Sequence, residues 1–412
     1  MSYSLRDARD QFPVLRDKTF FDSAGVGIAP LVAADAIRGF LDSVTKIPTR
    51  SMVEHHVKLE AERECARPEA ARLINASEDE IALIESTTHG LSITARAMPL
   101  QPGDNVVTTD LEFIEVPLAW RQHESGISPE IRLARNRQGT LPISAFEDQL
   151  DERTRAIVVS SVQWCNGYRC DMDALGELCD RRGILLIVDA IQQLGAFRLD
   201  VSRRQGDIIV CGGHKWLNAP FGAGFLYVRR KIWDRLKAPV AGYMSMNPQH
   251  GDWGQMFESP ESEPLQLLKM TRNARQFENG GTANYPGGIG LAASLHMINE
   301  LGHEAIEGHI ARITDHLMAG LEALSLRVVT PPSRSNRSGI IVFDVGQGPE
   351  KNLELKESLL DKKILTSVRY TSGVGGVRIS CHFYNTIEDI DRLLNAIDVY
   401  VSSLKPARSA KN

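Results

Sequence analysis

Short apolar runs alternate with amphipathic stretches through the middle of the chain. Some runs are apolar at every position, as in Ile184–Val188, which is typical of strands covered on both faces. The helical periodicity of Met172–Arg182 indicates strand–helix–strand units, and therefore a mainly parallel sheet with helices on both faces. The predicted strands are Asn105–Thr109, Ala156–Val162, Ile184–Val188, Asp207–Cys211 and Gly224–Val228.

The last third of the chain follows a more mixed pattern. A helical pattern runs from Ile289 to Leu324, and the Gly-, Pro- and Ser-rich stretch Pro248–Pro264 before it predicts a long loop. Further strands are predicted near Leu326–Thr330, Gly339–Val345, Leu365–Arg369 and Gly376–Ser380, and helices near Glu350–Asp361 and from Ile387. We therefore expect an α/β fold with three parts: residues 1–15 packing on the small domain, a large domain at 16–265, and an interface loop with a small α+β domain at 266–412.

Composition narrows the class of protein. The chain has 412 residues, 42% hydrophobic and 24% charged, as in ordinary globular proteins. Its net charge of −5 and scattered Lys and Arg give no basic stripe for nucleic acid. No apolar run approaches the roughly 20 residues of a membrane span, and the N-terminal residues lack the apolar core of a secretory signal. The six cysteines include no C-x-x-C pair, so we expect a cytoplasmic enzyme with reduced thiols and no metal site.

Two polar residues follow neighbouring predicted strands. Asp189 ends the apolar run ILLIVD, at the sheet edge where ligands bind in open parallel sheets, although the same Asp could simply cap the next turn. Lys215 follows the next strand, in CGGHKWLNAPFGAG, where glycines allow a ligand close approach. A partly desolvated Lys has a lowered pKa and becomes a usable nucleophile or base. A pyridoxal phosphate enzyme needs such a pair, with Lys for the aldehyde as a Schiff base and Asp for the pyridine nitrogen.

Further motifs stand in a recognisable order along the chain. They are FFDSAGVGIAP (Phe20–Pro30), STTHGLS (Ser86–Ser92), DLEFIEVPLAW (Asp110–Trp120), VDAIQ, GGHK, FENGGTANYPGG (Phe277–Gly288) and RISCHFYNT (Arg378–Thr386). Together they resemble the class V aminotransferase group of fold-type I pyridoxal phosphate enzymes, which includes cysteine desulfurases and isopenicillin-N-epimerase-like proteins. The resemblance covers nearly the whole chain and implies a homodimer with cofactor sites at the interface.

The resemblance also implies a role for individual residues. Lys215 would form the Schiff base and Asp189 would contact the pyridine nitrogen. Arg378 would bind the α-carboxylate of an amino acid substrate, because a guanidinium grips both carboxylate oxygens. The other implied contacts are Gly25 on the substrate side, Thr88 and the His89 N–H at the phosphate, Phe113 stacked over the ring, Gln192 at the phenolic oxygen, His214 at the phosphate or that oxygen, and Gly281 and Thr282 at the phosphate of the neighbouring subunit.

Departures from the group's pattern affect the expected reaction. Phe113 stands where desulfurases carry His, and Gly212 stands where many relatives have a phosphate-binding Ser. The segment Ser367–Val377 lacks the persulfide-forming Cys of desulfurases. We therefore expect an aminotransferase, with a β-eliminating C–S lyase as the alternative, followed by an amino-acid epimerase or a decarboxylation-coupled deaminase. A non-catalytic relative is disfavoured because Asp189, Lys215 and Arg378 are all present.

Overall fold

The computed structural model describes residues 4–121, 128–239, 242–247, 253–263, 269–278 and 280–404. Within these ranges, the helices are α1 Leu5–Asp10, α2 Leu31–Lys46, α3 Met52–Glu64, α4 Ala66–Ile74, α5 Thr87–Ala97, α6 Glu115–Arg121, α7 Ile143–Glu147, α8 Met172–Arg182, α9 Trp253–Glu258, α10 Tyr285–Leu301, α11 His303–Ala323, α12 Pro349–Asp361 and α13 Ile387–Leu404. The strands are β1 Thr19–Phe20, β2 Ile81–Ile84, β3 Asn105–Thr109, β4 Glu130–Ala134, β5 Thr154–Ser160, β6 Leu185–Asp189, β7 Ile208–Gly212, β8 Gly224–Val228, β9 Met246–Asn247, β10 Lys269–Met270, β11 Arg327–Val328, β12 Ile340–Asp344, β13 Ile364–Leu365, β14 Ser367–Thr371 and β15 Val374–Ser380.

A seven-stranded sheet forms the centre of the larger part of the molecule. Its order is β2-β8-β7-β6-β5-β3-β4, and every neighbouring pair is parallel except the two that involve β8. Alternate residues of a strand point to opposite faces. Accordingly Leu186 and Val188 of β6 pack in one apolar core, whereas Ile187 packs in another. The sheet is therefore buried on both faces, as its continuous apolar strands predicted.

The C-terminal part has a smaller sheet and a core of its own. Strands pair antiparallel in the order β11-β12-β15-β14. The core beneath them combines strand residues such as Ile341 and Ile379 with Leu317 of α11, Leu355 of α12 and Leu393 of α13. The α/β class with a smaller C-terminal α+β part is thus confirmed. The exact domain boundaries stay predictions. The predicted packing of residues 1–15 on the small domain has one contact in its favour, because Arg9 of α1 pairs with Asp389 of α13 at 2.7 Å.

Local differences from the expected elements have simple causes. The predicted helical stretch 289–324 is two helices, because Gly302 separates α10 from α11 with a φ of +78°. The predicted loop at 248–264 is wrong over Trp253–Glu258, which forms α9, a helix too short to show a period in the sequence. Residues 248–252 and 264 of that stretch lie outside the described residues.

No helix within the described ranges combines the length and the apolar character that crossing a membrane requires.

Candidate active site

A cavity of about 320 Å³ lies where the carboxyl ends of the central strands meet the C-terminal part of the chain. Parallel strands place their carboxyl ends at one edge, so residues distant in sequence converge there. Asp189, at the end of β6, lies beneath this edge and is buried. The predicted residues that line the cavity are Gly25, Thr88, Phe113, Gln192, His214, Lys215 and Arg378.

Asp189 is buried and Lys215 is half-buried, and both ionisable groups have few partners. Asp189 Oδ1 accepts a hydrogen bond from the Ile191 N–H at 3.0 Å, and among the described residues no cationic side chain bonds to this carboxylate. Burial, reinforced by the nearby negative charge of Glu115, raises the pKa of Asp189 to about 8. Burial also lowers the pKa of Lys215, against the opposing effect of Asp189. Both shifts favour the neutral forms, which is the condition of groups that handle protons.

Two aromatic side chains cover the space above Lys215. Its Nζ lies 5.6 Å from the ring centroid of Phe113. Phe113 in turn contacts Trp164 edge to face, with 5.3 Å between the ring centroids. These rings form an apolar surface against which a flat ring can stack. The stacking role expected of Phe113 fits this position and stays a prediction.

The N-terminus of α5 forms another wall of the cavity through Ser86, Thr87 and Thr88. Thr87 Oγ1 accepts a hydrogen bond from the Gly212 N–H at 3.0 Å. A Cβ on Gly212 would lie 2.9 Å from that same hydroxyl oxygen. The Thr87 hydroxyl therefore occupies the space that a side chain at position 212 would need. The sequence offered only a weak signal for Thr87, its place beside Thr88.

The phosphate contacts expected of Thr88 and His89 are less favourable in this geometry. Thr88 Oγ1 donates a short hydrogen bond to Glu115, so its hydroxyl is already engaged. The His89 N–H donates to Ser86 Oγ, the N-cap of α5, at 3.0 Å. The His89 ring lines a separate cavity together with Arg63. The contact predicted for the His89 N–H therefore has no support here, because the capping side chain takes that donor.

Gln192 and His214 occupy the cavity wall through contacts within the fold. Gln192 Oε1 accepts from Trp216 Nε1 at 2.8 Å, and its amide nitrogen donates to the Ala24 carbonyl at 3.1 Å. One amide N–H of Gln192 remains for a ligand. The His214 ring stacks on Phe221 with 5.4 Å between centroids, and burial lowers the pKa of His214. A neutral His214 can accept a hydrogen bond at the cavity.

Arg378 is anchored by three neighbours. Its Nε donates to Ser367 Oγ, one terminal nitrogen to the Trp164 carbonyl and the other to Asp22 Oδ1, each at 3.1 Å. Ser367 Oγ also donates to Asp22 Oδ1 at 2.7 Å. Gly25 packs against this group, since a Cβ there would lie 2.8 Å from the Asp22 carboxylate. The Arg378 guanidinium thus faces the cavity, and it is already paired with the Asp22 carboxylate.

Gly281 and Thr282 do not line this cavity. The resemblance assigned both to the neighbouring subunit's cofactor, and their position here leaves that role a prediction. Glu278, just before them, instead pairs with Arg67 at 2.8 Å, away from the cavity. Three further residues that line the Lys215 cavity were not predicted from the sequence, namely Thr87, Glu115 and Arg369.

The residues present fit pyridoxal phosphate. The Asp189 carboxylate lacks a cation, which a protonated ring nitrogen would supply. Lys215 provides an amine in the same cavity, and a helix N-terminus provides the usual setting for a phosphate. Among the described residues, no group of three or more His, Cys, Asp or Glu side chains is arranged to hold a metal ion.

Comparison with known proteins gives a consistent picture. A family model described as aminotransferase class-V matches residues 19–393. A probable cysteine desulfurase of Pyrococcus abyssi is 25% identical, over 98% of this chain and 99% of its own. An uncharacterized aminotransferase of Bacillus subtilis, YcbU, is 26% identical, over 96% of this chain and 98% of its own.

The fold also matches solved structures. One is the cystine C–S lyase C-DES in complex with its reaction product, cysteine persulfide. Its TM-score is 0.82 at 22% identity, and the match covers 94% of this chain and 99% of that one. At this identity the likeness shows the fold alone.

Proposed function

Because the chain belongs to the class V aminotransferase family of pyridoxal phosphate enzymes, we propose that it transfers the amino group of an α-amino acid to a keto acid. The observation that carries this proposal is the juxtaposition of Asp189 and Lys215. Asp189 is buried at the end of β6, and Lys215 is half-buried shortly after the end of the neighbouring β7. The pKa of each is shifted in the direction that favours its neutral form. Arg378 adds a carboxylate-binding group to the same cavity.

The chain's own residues support a mechanism of proton transfer at the substrate α-carbon. When bound, pyridoxal phosphate supplies an aldehyde for the amino group and a ring that accepts electrons. Lys215 and Asp189 would hold it, at the aldehyde and at the ring nitrogen. Because its pKa is lowered, Lys215 is more often neutral at physiological pH and can take the proton from the α-carbon. Phe113 and Trp164 provide the apolar wall beside Lys215 in this mechanism.

A C–S lyase that acts on a cysteine derivative is the second candidate, and the desulfurase relatives favour it. Protein-bound persulfide chemistry has little support in the chain. The hairpin formed by β14 and β15 contains no cysteine. Cys381, directly after β15, is fully buried, and burial raises the pKa of its thiol well above the usual range. A lyase at this site would therefore release its sulfur product free, without a persulfide on a cysteine of the chain.

A single-turnover experiment separates the two candidates. The purified protein loaded with pyridoxal phosphate is incubated with each amino acid in turn, including cysteine conjugates, without any keto acid. For an aminotransferase, mass spectrometry should show one equivalent of pyridoxamine phosphate and keto acid, and then no further reaction. Continued accumulation of ammonia, keto acid or thiol with pyridoxal phosphate unchanged would establish the lyase instead.

Lys215→Ala tests whether this lysine holds the cofactor. Borohydride reduction of the loaded wild type should add the cofactor mass to the peptide that contains Lys215, and the variant should lack this adduct. Activity of the variant should be undetectable, because no other lysine lines the cavity within the described residues. A variant of unchanged activity would contradict the catalytic proposal and favour a non-catalytic relative.

We also propose a homodimer, supported by the distribution of exposed apolar side chains. Among the described residues, eight of the sixteen exposed large hydrophobic side chains lie between positions 26 and 57, on α2, α3 and the adjoining segments. Such a concentration is typical of a surface covered by a partner. Val57→Glu should convert the dimer to a monomer in sedimentation analysis. Val399→Glu, at an equally exposed site on α13, is the control and should leave the dimer intact.

All six cysteines are free in this structure, which agrees with a reducing compartment such as the cytoplasm, and we propose that location.

A further inference from the structure

A second cavity, of about 420 Å³, lies between the larger part of the molecule and the C-terminal part. The first turn of α8 and the segment that follows β6 line one side of it, and α11 and the segment before β12 line the other. Among the described residues, none lines both this cavity and the Lys215 cavity. The two cavities are adjacent along the chain, because Gln192 lines the first and Gln193 lines the second.

Four charged side chains on the wall of this second cavity are already paired. Arg198 bonds to Asp200 at 2.8 Å, and Arg203 bonds to Asp173 at 2.7 Å. These pairs balance one another, so they leave no net charge for a ligand to compensate.

Arg169 is a cation on the same wall, and it lacks such a partner. It is half-buried, and its nitrogens donate to the carbonyls of Ser335 and Arg334 at 3.3 and 3.4 Å. Its guanidinium also lies 4.8 Å from the ring centroid of Phe197. No carboxylate among the described residues forms an ion pair with it. A partly buried cation that has only neutral partners is costly, and an anionic ligand would compensate it.

Glu307 of α11 is the complementary anion of this cavity. Its Oε1 accepts a short hydrogen bond from the backbone N–H of Arg198, and no cationic side chain within the described ranges pairs with it. Burial lowers the pKa of Arg169, and the charge of Glu307 opposes this effect, so the two charges lie within electrostatic reach of each other. The cavity thus presents a cation and an anion that are close together but not in an ion pair.

Gln193 leaves the polar wall of the cavity incomplete. Its side chain is 3% exposed, and its amide nitrogen donates to the Arg198 carbonyl at 2.7 Å. Its Oε1 is buried and accepts no hydrogen bond from the described residues. Buried polar atoms in folded proteins nearly always have a partner, so a donor is missing at this wall.

We propose that this second cavity binds a zwitterionic α-amino acid, with its carboxylate on Arg169 and its ammonium group on Glu307. Such a ligand carries both charges on one small framework, and it balances both wall charges without adding net charge. A ligand with one charge would compensate one wall residue and be repelled by the other. Met172 and Cys170, both buried, add apolar surface for the ligand side chain. This site goes beyond the proposed function, because it lies outside the Lys215 cavity and requires no cofactor.

Leucine and two analogues of similar shape test the class of ligand. Isocaproate lacks the ammonium group, and isoamylamine lacks the carboxylate. The protein is loaded with pyridoxal phosphate and reduced with borohydride to block the Lys215 cavity, and binding is measured by isothermal titration calorimetry. We expect leucine to bind at least roughly 10-fold more tightly than either analogue, because each analogue loses one charged contact. Isocaproate that binds as tightly as leucine, or leucine that does not bind, would overturn the proposal.

Arg169→Gln and Glu307→Gln test the two contacts separately. We expect Arg169→Gln to weaken the binding of both leucine and isocaproate by roughly 10- to 100-fold. Glu307→Gln should weaken leucine binding by a similar factor but should not weaken that of isocaproate, because the anion loses a repulsive neighbour. The introduced amide oxygen can still accept from the Arg198 N–H. Arg182→Gln, which breaks an exposed pair with Glu147, is the control and should bind leucine like the wild type.

These readouts are independent of the proposed function. Turnover and the borohydride adduct report on Lys215; if no adduct forms, the same titrations are made on the protein as purified. Arg169→Lys keeps the positive charge and should recover part of the lost leucine affinity, which separates a lost contact from a misfolded variant. If leucine binds equally well to the wild type, Arg169→Gln and Glu307→Gln, the second site is refuted and the proposed function is unaffected.

Discussion

Two sets of buried charges in this molecule behave in opposite ways. The first is the buried ion cluster, formed by Arg63, Glu64, Arg67 and Glu278. In it Arg67 meets Glu278 and Glu64, each at 2.8 Å. Burial alone would lower the pKa of Arg67, but the two glutamates outweigh it and raise that pKa; the pKa of Glu64 is likewise lowered despite burial. Arg67 and Glu64 are thus held in their charged forms by their neighbours.

The second set comprises Lys215 and Arg378, which line the Lys215 cavity, and Asp189 beneath it, and its pairing is incomplete. Burial outweighs the available partners there, raising the pKa of Asp189 and lowering those of Lys215 and Arg378. Charges that satisfy one another stabilise a fold, whereas charges left short of partners mark the place where a ligand completes the pairing. The difference between a structural and a functional buried charge therefore lies in its partners and not in its depth.

The largest expected effect comes from unbalancing the ion cluster. Glu278→Ala would leave Arg63 and Arg67 without one of their carboxylates, and would remove the acceptor of the Leu83 N–H. We expect a loss of about 3–5 kcal/mol in the free energy of unfolding, measured by urea denaturation.

Its control is Asp234→Ala, which breaks an exposed pair with Arg272 and should leave the urea midpoint unchanged. A midpoint for Glu278→Ala equal to that of the wild type would show that the cluster contributes little to stability.

The next effect concerns the incompletely paired Asp189. Its pKa is raised from the ordinary value near 4 to about 8, so the folded protein binds this proton more tightly than the unfolded chain. Its contribution to stability is therefore complete below about pH 4 and is lost as the pH rises toward 8. In the cofactor-free protein we expect the free energy of unfolding of the wild type to fall, relative to Asp189→Asn, by up to about 1.4 kcal/mol per pH unit over this interval.

Pyridoxal phosphate should abolish much of that pH dependence in the wild type, because its ring nitrogen supplies the missing cation. Denaturation curves at pH 5, 6, 7 and 8, with and without the cofactor, measure both effects. Parallel pH profiles for the wild type and Asp189→Asn would mean that Asp189 is charged in the folded state throughout.

The strand ends explain why part of the site could be predicted from sequence. Asp189 and Lys215 follow apolar runs that end at the same edge of a parallel sheet, so one local pattern places both. Of the five predicted central strands, β3 and β8 have the predicted bounds and the others are shifted by one or two residues, as in β6, which is Leu185–Asp189 against the predicted Ile184–Val188. The edge strands β2 and β4 were not predicted. Burial on both faces makes these runs apolar and easy to recognise.

The unpredicted contacts depend on segments far apart in the chain. Asp22 reaches Arg378 across 356 residues, and Glu115 reaches Thr88 from a different helix. No periodicity in either segment encodes such a meeting. Arg369 could have been recognised, since alternation along β14 places it on the same face as Ser367, but this required the register with β15. Local sequence thus specifies where a strand ends, and tertiary register specifies which charges meet there.

Arg378 is intermediate between the two sets of charges, and Ser367→Ala tests how far its anchoring stabilises the fold. The Ser367 hydroxyl accepts from Arg378 Nε and donates to Asp22, so its loss leaves both partners with one bond fewer in a buried position. We expect a loss of roughly 1 kcal/mol in the free energy of unfolding, the usual net value of a hydrogen bond. The control is Ser372→Ala on the same hairpin, which removes an exposed hydrogen bond to the Asp110 carbonyl and should lower the free energy of unfolding less. The substrate carboxylate would add an anion beside Arg378. We therefore expect the loss in the free energy of unfolding to shrink when propionate, an unreactive carboxylate, is added. A deficit that propionate leaves unchanged would place Arg378 with the structural charges of the ion cluster.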